Sequence, residues 1–208
     1  MGKIYAIGDL HGCFSHLNSL LNKFTIGQND TLLFLGDYID RGPDSYEVVE
    51  TILRLRNKLA SVICLKGNHE QMYLDFLRGT DQDLFFSNGG NHTLRSYKKN
   101  GCEYPPPEHM RFFLSLKLYY ETEDFIFVHA GLHPNVPLQN QNPKDMLWIR
   151  SQFYRSPNIW NKTIVFGHTH FSEPYIRDGK IGIDTGACTG GALTCVELPG
   201  MIFYHATI

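Results

Sequence analysis

The sequence predicts an α/β protein, a four-layer α/β sandwich in which two mixed β-sheets are flanked by helices. Two observations support this prediction. Apolar, β-prone runs alternate with amphipathic helical segments in the first third of the chain, and short strands separated by turn signals dominate after residue 118. A chain of 208 residues suits one hydrophobic core, so we expect residues 1–208 to form a single domain.

The first third predicts a βαβαβ unit with a parallel sheet. Strands are expected at 3–7, 31–35 and 62–65, where the chain is apolar and β-prone. Helices near 14–24 and 45–58 separate them, because large apolar side chains recur there at helical spacing. In an open α/β sheet the ligand-binding crevice lies outside the carboxyl ends of such strands.

A mainly helical cap is expected at about 71–117, beside that crevice. Two glycines at 89–90 interrupt the helical pattern, and the prolines at 105–107 stop it between helices. After residue 118 the strands are short and are separated by turn signals such as that at 123–124. These strands predict a second sheet of more antiparallel character.

Five short polar motifs each follow an apolar run directly, at the predicted end of a strand. They are Gly8-Asp9-Leu10-His11-Gly12, Gly36-Asp37-Tyr38-Ile39-Asp40-Arg41-Gly42, Gly67-Asn68-His69-Glu70, His129-Ala130-Gly131 and Gly167-His168-Thr169-His170. A single motif of this kind is more often a structural turn than a ligand. Five of them in order indicate one site with two metal ions, because apolar strands seldom end in Asp or His unless the charge has a partner.

The expected donors divide between the two metals. Asp9 and His11 lie two residues apart at a strand end and would bind the first metal, and Asp37 is placed to bridge both. The second metal would be completed by Asn68, His129 and His168. Oxygen and nitrogen donors without thiolate suit manganese, iron or zinc better than calcium or copper, and the residue types leave these three open.

The remaining polar residues fit phosphoryl transfer to water. Two cations roughly 3.5–4 Å apart acidify a shared water and clamp the phosphoryl oxygens. His69 is then a candidate general acid for the leaving oxygen, with Asp40 orienting its imidazole. Arg41 and Arg150 could hold the phosphoryl oxygens. The alternatives are a turn residue for Asp40, a surface cation for Arg41 and an ordinary surface ion pair for Arg150.

Composition excludes several other classes. Lys and Arg total 19 and Asp and Glu total 21, so the formal net charge of −2 predicts neither a nucleic-acid nor a membrane partner. The five cysteines are odd in number and lack metal-ligand spacing, which favours reduced thiols and a cytoplasmic location. The first residues lead at once into a strand with charged residues behind it, which fits no signal peptide, and no apolar run approaches the ~18 residues of a membrane span.

The motifs together resemble the phosphoprotein phosphatase branch of the calcineurin-like metallophosphoesterases, over about residues 3–205. The resemblance implies two divalent cations, manganese in bacterial members, held by the donors named above. It also implies the acid, orienting and arginine roles given above. The implied activity is hydrolysis of phosphomonoesters by direct attack of a metal-bound hydroxide. A serine/threonine protein phosphatase is the first expectation.

Two rival functions stay open at this point. A symmetrical diadenosine tetraphosphate hydrolase would use the same metals but would need contacts to two nucleosides, within the cap. A non-catalytic metal-bound interaction module would have no need of the acid and the arginines. One departure from many bacterial relatives is His170, where they carry proline. It would be a seventh metal ligand, as in the wider superfamily, or a solvent-facing histidine.

Overall fold

A computed structural model of the chain describes residues 2–208. Its strands are β1 (Ile4–Ile7), β2 (Thr31–Phe34), β3 (Val62–Cys64), β4 (Tyr119–Glu121), β5 (Phe125–Val128), β6 (Thr163–Phe166), β7 (Tyr175–Arg177), β8 (Lys180–Gly182), β9 (Leu193–Leu198) and β10 (Ile202–Ala206). Its α-helices are α1 (Phe14–Leu21), α2 (Ser45–Lys58), α3 (Asn68–Leu77), α4 (Gln82–Ser87), α5 (Gly90–Lys99), α6 (Pro107–Ser115), α7 (Pro143–Trp148) and α8 (Ser151–Tyr154). The predicted βαβαβ start is therefore present.

Two mixed sheets of five strands each confirm the predicted architecture. The first has the order β10-β9-β1-β2-β3 and the second has the order β4-β5-β6-β8-β7. In each sheet two strand pairs are parallel and two are antiparallel. The second sheet is therefore no more antiparallel than the first, contrary to the sequence expectation.

The last two strands return to the first sheet, so the expectation that strands after residue 118 form the second sheet is wrong for this pair. β9 pairs antiparallel with β1, placing Leu198 opposite Ile4 and Cys195 opposite Ile7. Every residue of β9 is buried, as befits a central strand. The sequence shows an apolar strand there but contains no signal for its partner, which depends on long-range packing.

Alternation along the strands produces the four layers. In β1, Ala6 faces a core cluster between the sheets, whereas Tyr5 and Ile7 face the cluster that contains buried residues of α1 and α2. In β6, Val165 belongs to the cluster between the sheets and Ile164 to a third cluster on the far side. Both faces of both sheets are thus covered, because successive strand side chains point in opposite directions.

The region expected to be a cap is mainly helical. Helices α4, α5 and α6 pack on α2 and α3 through buried aromatic rings, among them Tyr73, Phe85 and Tyr97. The Tyr97 hydroxyl lies 2.7 Å from His109 Nδ1, and His109 Nε2 lies 2.8 Å from a Glu50 carboxylate oxygen, which ties α5 and α6 to α2. Whether 71–117 acts as a cap stays a prediction. Among residues 2–208, no helix combines the length and apolarity that a bilayer crossing requires.

Candidate metal centre

The structure brings the predicted metal ligands together at the carboxyl ends of five strands. Asp9 and His11 follow β1, Asp37 follows β2, Asn68 opens α3 after β3, and the two remaining histidines follow the second sheet's β5 and β6. All six of these side chains are buried: Asp9, His11, Asp37, Asn68, His129 and His168. The two sheets therefore contribute donors to one centre.

Asp37 lies between two groups of donor atoms. One group is His11, Asp37 and His69, the other is Asp37, His129 and His168, and within each the donor atoms lie within 4.8 Å of one another. Its two carboxylate oxygens face opposite groups, since Oδ2 is 3.4 Å from His11 Nε2 and Oδ1 is 3.4 Å from His129 Nε2. This is the arrangement that a carboxylate bridging two cations needs.

Asp9 and Asn68 both contact histidines of the second donor group. The Asp9 carboxylate accepts the His168 N–H at 3.0 and 3.2 Å, and it lies where a Cβ on Gly167 would be, only 2.1 Å from its Oδ1. The Asn68 Oδ1 lies 3.0 Å from His129 Nε2. Gly167 is thus required here because a side chain would displace Asp9.

The electrostatics of the centre fit cations. Burial raises the pKa of Asp9, and the charges of Asp184 and Asp37 raise it further. Burial would likewise raise the pKa of Asp37, but the histidines around it lower it below its ordinary value. Burial lowers the pKa of His11 to about 3 and that of His168 to about 2, so both rings present neutral lone pairs.

A buried imidazole nitrogen without a hydrogen-bond partner tests whether the residues fit metal ions. His168 Nε2 is buried and has no hydrogen-bond partner within residues 2–208. A buried nitrogen without a partner is costly in free energy unless a ligand uses its lone pair. Together with carboxylate, amide and imidazole donors it fits a divalent transition metal. The individual ligand assignments remain predictions.

The backbone around the centre adopts strained conformations. His11, Asp37, Asp40, Arg41 and His168 all have positive φ, between 44° and 69°. Residues other than glycine seldom adopt this region, and such strain persists where the surroundings impose it, often at functional sites. Each strained turn redirects the chain at a strand end so that its side chain faces the centre.

His69, the predicted acid, is held by Asp40 as expected. Its Nδ1 lies 2.7 Å from Asp40 Oδ2 and both side chains are fully buried. Burial lowers the pKa of His69, but Asp37 and Asp40 outweigh this, so the pKa is raised above its ordinary value. The other ring nitrogen, Nε2, lies 3.9 Å from Asp37 Oδ2 and faces the centre. A proton on Nε2 would therefore point at the site.

A hydroxyl that sequence reasoning did not assign supports this pair. Thr93 Oγ1 on α5 donates to Asp40 Oδ1 at 2.6 Å and accepts the Asp40 N–H at 2.8 Å. The sequence gives Thr93 no link to Asp40, because no local pattern connects residues 53 positions apart. The burial of Thr93 next to Asp40 indicates its role, and that burial is apparent from the folded structure and not from the sequence.

The two predicted arginines lie at opposite edges of the centre. Arg41 Nη1 is 3.0 Å from His11 Nε2, and its Nη2 is 3.1 Å from His69 Nε2. Arg150 is exposed and its Nη1 donates to the His168 carbonyl oxygen at 2.9 Å. The structure therefore brings both guanidinium groups to the site residues. Among residues 2–208, Arg150 makes no ion pair with an acidic group, so the alternative of an ordinary surface ion pair does not apply to it.

Glu70 stands in the third motif, where the sequence suggested no role for it. Its carboxylate accepts the N–H groups of Asp37, Tyr38 and Gly67 at 3.0, 2.8 and 2.9 Å. Burial and the Asp37 charge raise the pKa of Glu70 to about 8, although the hydrogen bonds from the Tyr38 and Gly67 N–H groups favour a lower pKa. Glu70 thus fixes the turn that carries Asp37 to the turn that carries Asn68.

His170 lies beside the centre and outside both donor groups. It is exposed, and its Nε2 lies against Gly186, 2.5 Å from the place of an added Cβ. Asp184 is buried nearby, with its Oδ1 accepting the Gly186 N–H at 3.1 Å. Sequence reasoning gave Asp184 no role. The role of His170 as a seventh ligand stays a prediction.

Comparisons with known proteins agree with this geometry. The profile of the family described as calcineurin-like phosphoesterase matches residues 2–184, which include all five motifs. Serine/threonine-protein phosphatase 1 of Salmonella typhimurium is 29% identical, over 94% of this chain and 91% of its own length. The asymmetrical bis(5'-nucleosyl)-tetraphosphatase of a Geobacillus species is 29% identical, over 95% and 91%.

Solved structures also share the fold across the whole chain. A protein serine/threonine phosphatase from Saccharomyces cerevisiae has a TM-score of 0.70 and 19% identity, and the match covers 100% of this chain and 80% of that one. At this level of identity the likeness concerns the fold. It supports the two-sheet architecture around the motifs.

Proposed function

The chain belongs to the calcineurin-like phosphoesterase family, and from that premise we propose that it is a metal-dependent phosphomonoester hydrolase of the serine/threonine protein phosphatase type. The observation that carries the proposal is the pairing of a two-sided donor set around Asp37 with a histidine–carboxylate pair on the same face. A non-catalytic binding module would need the metal donors but not the His69–Asp40 pair. The Salmonella relative supports the phosphoprotein branch.

Seven residues would hold the two cations. Asp9, His11 and Asp37 would bind the first, with His170 as a further ligand. Asp37 would share the second with Asn68, His129 and His168. We propose manganese as the native metal. When bound there, the cations would acidify a water and offset negative charge on the phosphoryl oxygens.

The chain's own residues would perform the remaining steps. Arg41 and Arg150 would bind the phosphoryl oxygens from opposite edges of the centre and orient the phosphorus for in-line attack. His69 would hold a proton on Nε2 and pass it to the leaving oxygen. Asp40 would keep the Nδ1 proton on the far side of the ring and so fix the ring's tautomer and orientation.

A second candidate activity is the hydrolysis of dinucleoside tetraphosphates. The Geobacillus relative supports it, because it carries that name and matches this chain as well as the phosphatase does. The metals, acid and arginines would serve both reactions. The difference would lie in contacts to two nucleosides, which the helical cap at 71–117 would have to provide.

The cellular setting is also part of the proposal. We propose one catalytic domain over residues 1–208, working in the cytoplasm on a phosphorylated protein or small phosphate ester. The five cysteines are all free, which accords with a reducing compartment. The formal net charge of −2 accords with a partner other than nucleic acid.

The test is a turnover assay of the purified, manganese-loaded chain on three substrates side by side. We expect kcat/KM for a phosphoserine peptide to exceed that for diadenosine tetraphosphate and for a phosphotyrosine peptide. Asp37→Asn is the control for contaminating activity, since it removes the bridging carboxylate. Turnover of the tetraphosphate alone would overturn the protein phosphatase assignment, and no metal-dependent turnover of any phosphoester would overturn hydrolysis itself.

A further inference from the structure

Lys180 is a fully buried lysine that the proposed chemistry does not use. It lies on β8 with no measurable exposure, and it forms no ion pair with any residue of 2–208. Its Nζ donates to the Ser156 carbonyl oxygen and lies 5.2 Å from the centre of the Phe153 ring. Burial lowers the pKa of Lys180 below its ordinary value, and the charge of Asp178 offsets this only in part.

Both contacts of Lys180 are with the segment that contains helix α8 (Ser151–Tyr154), which Arg150 directly precedes. Helix α8 has only four residues, and Ser156 lies just beyond its end. The Arg150 carbonyl accepts the N–H groups of Phe153 and Tyr154 at 2.8 and 3.2 Å, so the backbone of Arg150 forms the first turn. A cation at the carboxyl end of a helix is favourable, because the last carbonyl groups there carry partial negative charge.

Phe153 links this helix to the site. Its ring is fully buried and packs where a Cβ on Gly131 would be, 2.3 Å from its Cδ1. Gly131 belongs to the His129-Ala130-Gly131 motif. At the other end of the helix, the Arg150 side chain reaches the His168 carbonyl oxygen. A shift of α8 would therefore move the Arg150 guanidinium relative to the centre.

Burying the Lys180 ammonium group at this position costs free energy. A buried charge without an ionic partner costs free energy, and methionine would fill a similar volume without that cost. A helix of four residues cannot hold its own position, because helix nucleation is unfavourable. The position of α8 must come from its contacts with other elements, such as the Tyr175 hydroxyl that donates to the Tyr154 carbonyl oxygen, and Lys180 adds a charged contact from β8.

We infer that Lys180 is a positioning residue for Arg150, holding α8 so that the guanidinium is preset for the phosphoryl group. The inference rests on the proposed phosphate-binding role of Arg150. It assigns Lys180 an effect on phosphate affinity, although its Nζ contacts Ser156 and the Phe153 ring rather than a residue of the centre.

The test is Lys180→Met in the full-length, manganese-loaded protein, with inorganic phosphate as the probe. We expect the inhibition constant for phosphate and the KM for a phosphoester to rise about tenfold, because the preset position of one charge-assisted contact is lost. We expect kcat to stay within about threefold and the midpoint of thermal unfolding to be unchanged or higher. If Lys180 had only a structural role, Lys180→Met would lower the midpoint of thermal unfolding and leave phosphate affinity unchanged.

A matched control and a rescue variant sharpen the result. Lys162 also donates its ammonium to a carbonyl oxygen, that of Thr122 at 2.7 Å in the turn between β4 and β5, and it pairs with Glu121. These contacts do not involve α8, so Lys162→Met should not change phosphate affinity. Lys180→Arg, which restores a cation, should recover most of the affinity. Lys180→Gln keeps one donor to Ser156 and should give an intermediate shift, and it replaces the methionine variant if that one does not fold.

A double-mutant cycle separates this inference from the proposed function. In an Arg150→Ala background, Lys180→Met should cause no further loss of phosphate affinity. An equal loss with and without Arg150 overturns the inference, as does unchanged affinity in Lys180→Met when Arg150→Ala alone weakens binding. If Arg150→Ala leaves phosphate affinity unchanged, its assigned role fails and the inference fails with it, whereas phosphoester turnover itself is tested by the substrate panel.

Discussion

Replacing Thr93 by valine removes one hydroxyl and keeps the shape of the side chain. That hydroxyl donates to Asp40 Oδ1 at 2.6 Å and accepts the Asp40 N–H at 2.8 Å. The N–H keeps a second acceptor in Ser45 Oγ at 3.2 Å, whereas Oδ1 loses its donor. The main effect is therefore on the carboxylate that orients His69.

The expected magnitude follows from that single contact. A hydrogen bond to a charged group contributes about 1.5–3 kcal/mol, and the loss falls on a fully buried carboxylate. We expect the free energy of unfolding to fall by about 2 kcal/mol. If the same interaction is lost from the transition state, a rate that depends on the acid falls by up to about 30-fold.

The assay compares two leaving groups on manganese-loaded protein. Hydrolysis of a serine phosphate needs a proton on the leaving oxygen, so kcat/KM should fall about 10- to 30-fold in Thr93→Val. Hydrolysis of para-nitrophenyl phosphate should change less than threefold, because that leaving group is stable as an anion. Thr51→Val is the control, since its hydroxyl accepts from Arg54 and lies outside the site. Equal losses on both substrates would refute the reasoning.

Three further changes test other parts of the centre. Asp37→Asn should abolish turnover and bound metal, measured by elemental analysis, and a variant that keeps two metals per chain would contradict the bridging role. His170→Ala should raise the manganese concentration for half-maximal activity by at least about tenfold while saturated turnover stays within a few-fold; an unchanged titration places this histidine outside the metal shell. Glu70→Gln should lower the free energy of unfolding in urea by about 2–4 kcal/mol, because one amide oxygen cannot accept from Asp37, Tyr38 and Gly67 together. A loss below about 1 kcal/mol would show that these N–H groups find other partners.

The parts of this protein that sequence predicts well are those encoded locally. An apolar run followed by Asp or His identifies a strand and a polar strand end, so the places of Asp9, Asp37 and His129 followed from the chain itself. Asp40 was proposed to orient His69 from its place three residues past Asp37, and the structure puts its carboxylate 2.7 Å from His69 Nδ1, whereas its catalytic role stays a prediction. For the residues at strand ends, a short pattern was enough together with the rule that ligands bind outside the carboxyl ends of the strands.

The parts that sequence did not predict depend on distant pairs. Thr93 on α5 reaches Asp40 in the loop after β2, and Lys180 on β8 reaches Ser156 just after α8. No periodicity marks such contacts, since a buried threonine or lysine looks like any other until its partner is known. The same limit explains β9, whose apolar pattern predicts a strand but not its place beside β1.

That placement of β9 has a consequence for how the chain folds during synthesis. β1 pairs with β2, which follows it closely, and with β9, which is made near the other end of the chain. At about 5–20 residues per second, one edge of β1 stays open for roughly ten seconds or more after β2 has left the ribosome. An open strand edge is a template for pairing with other chains. We therefore expect nascent chains to depend on chaperones until Leu193–Leu198 emerges and closes the first sheet.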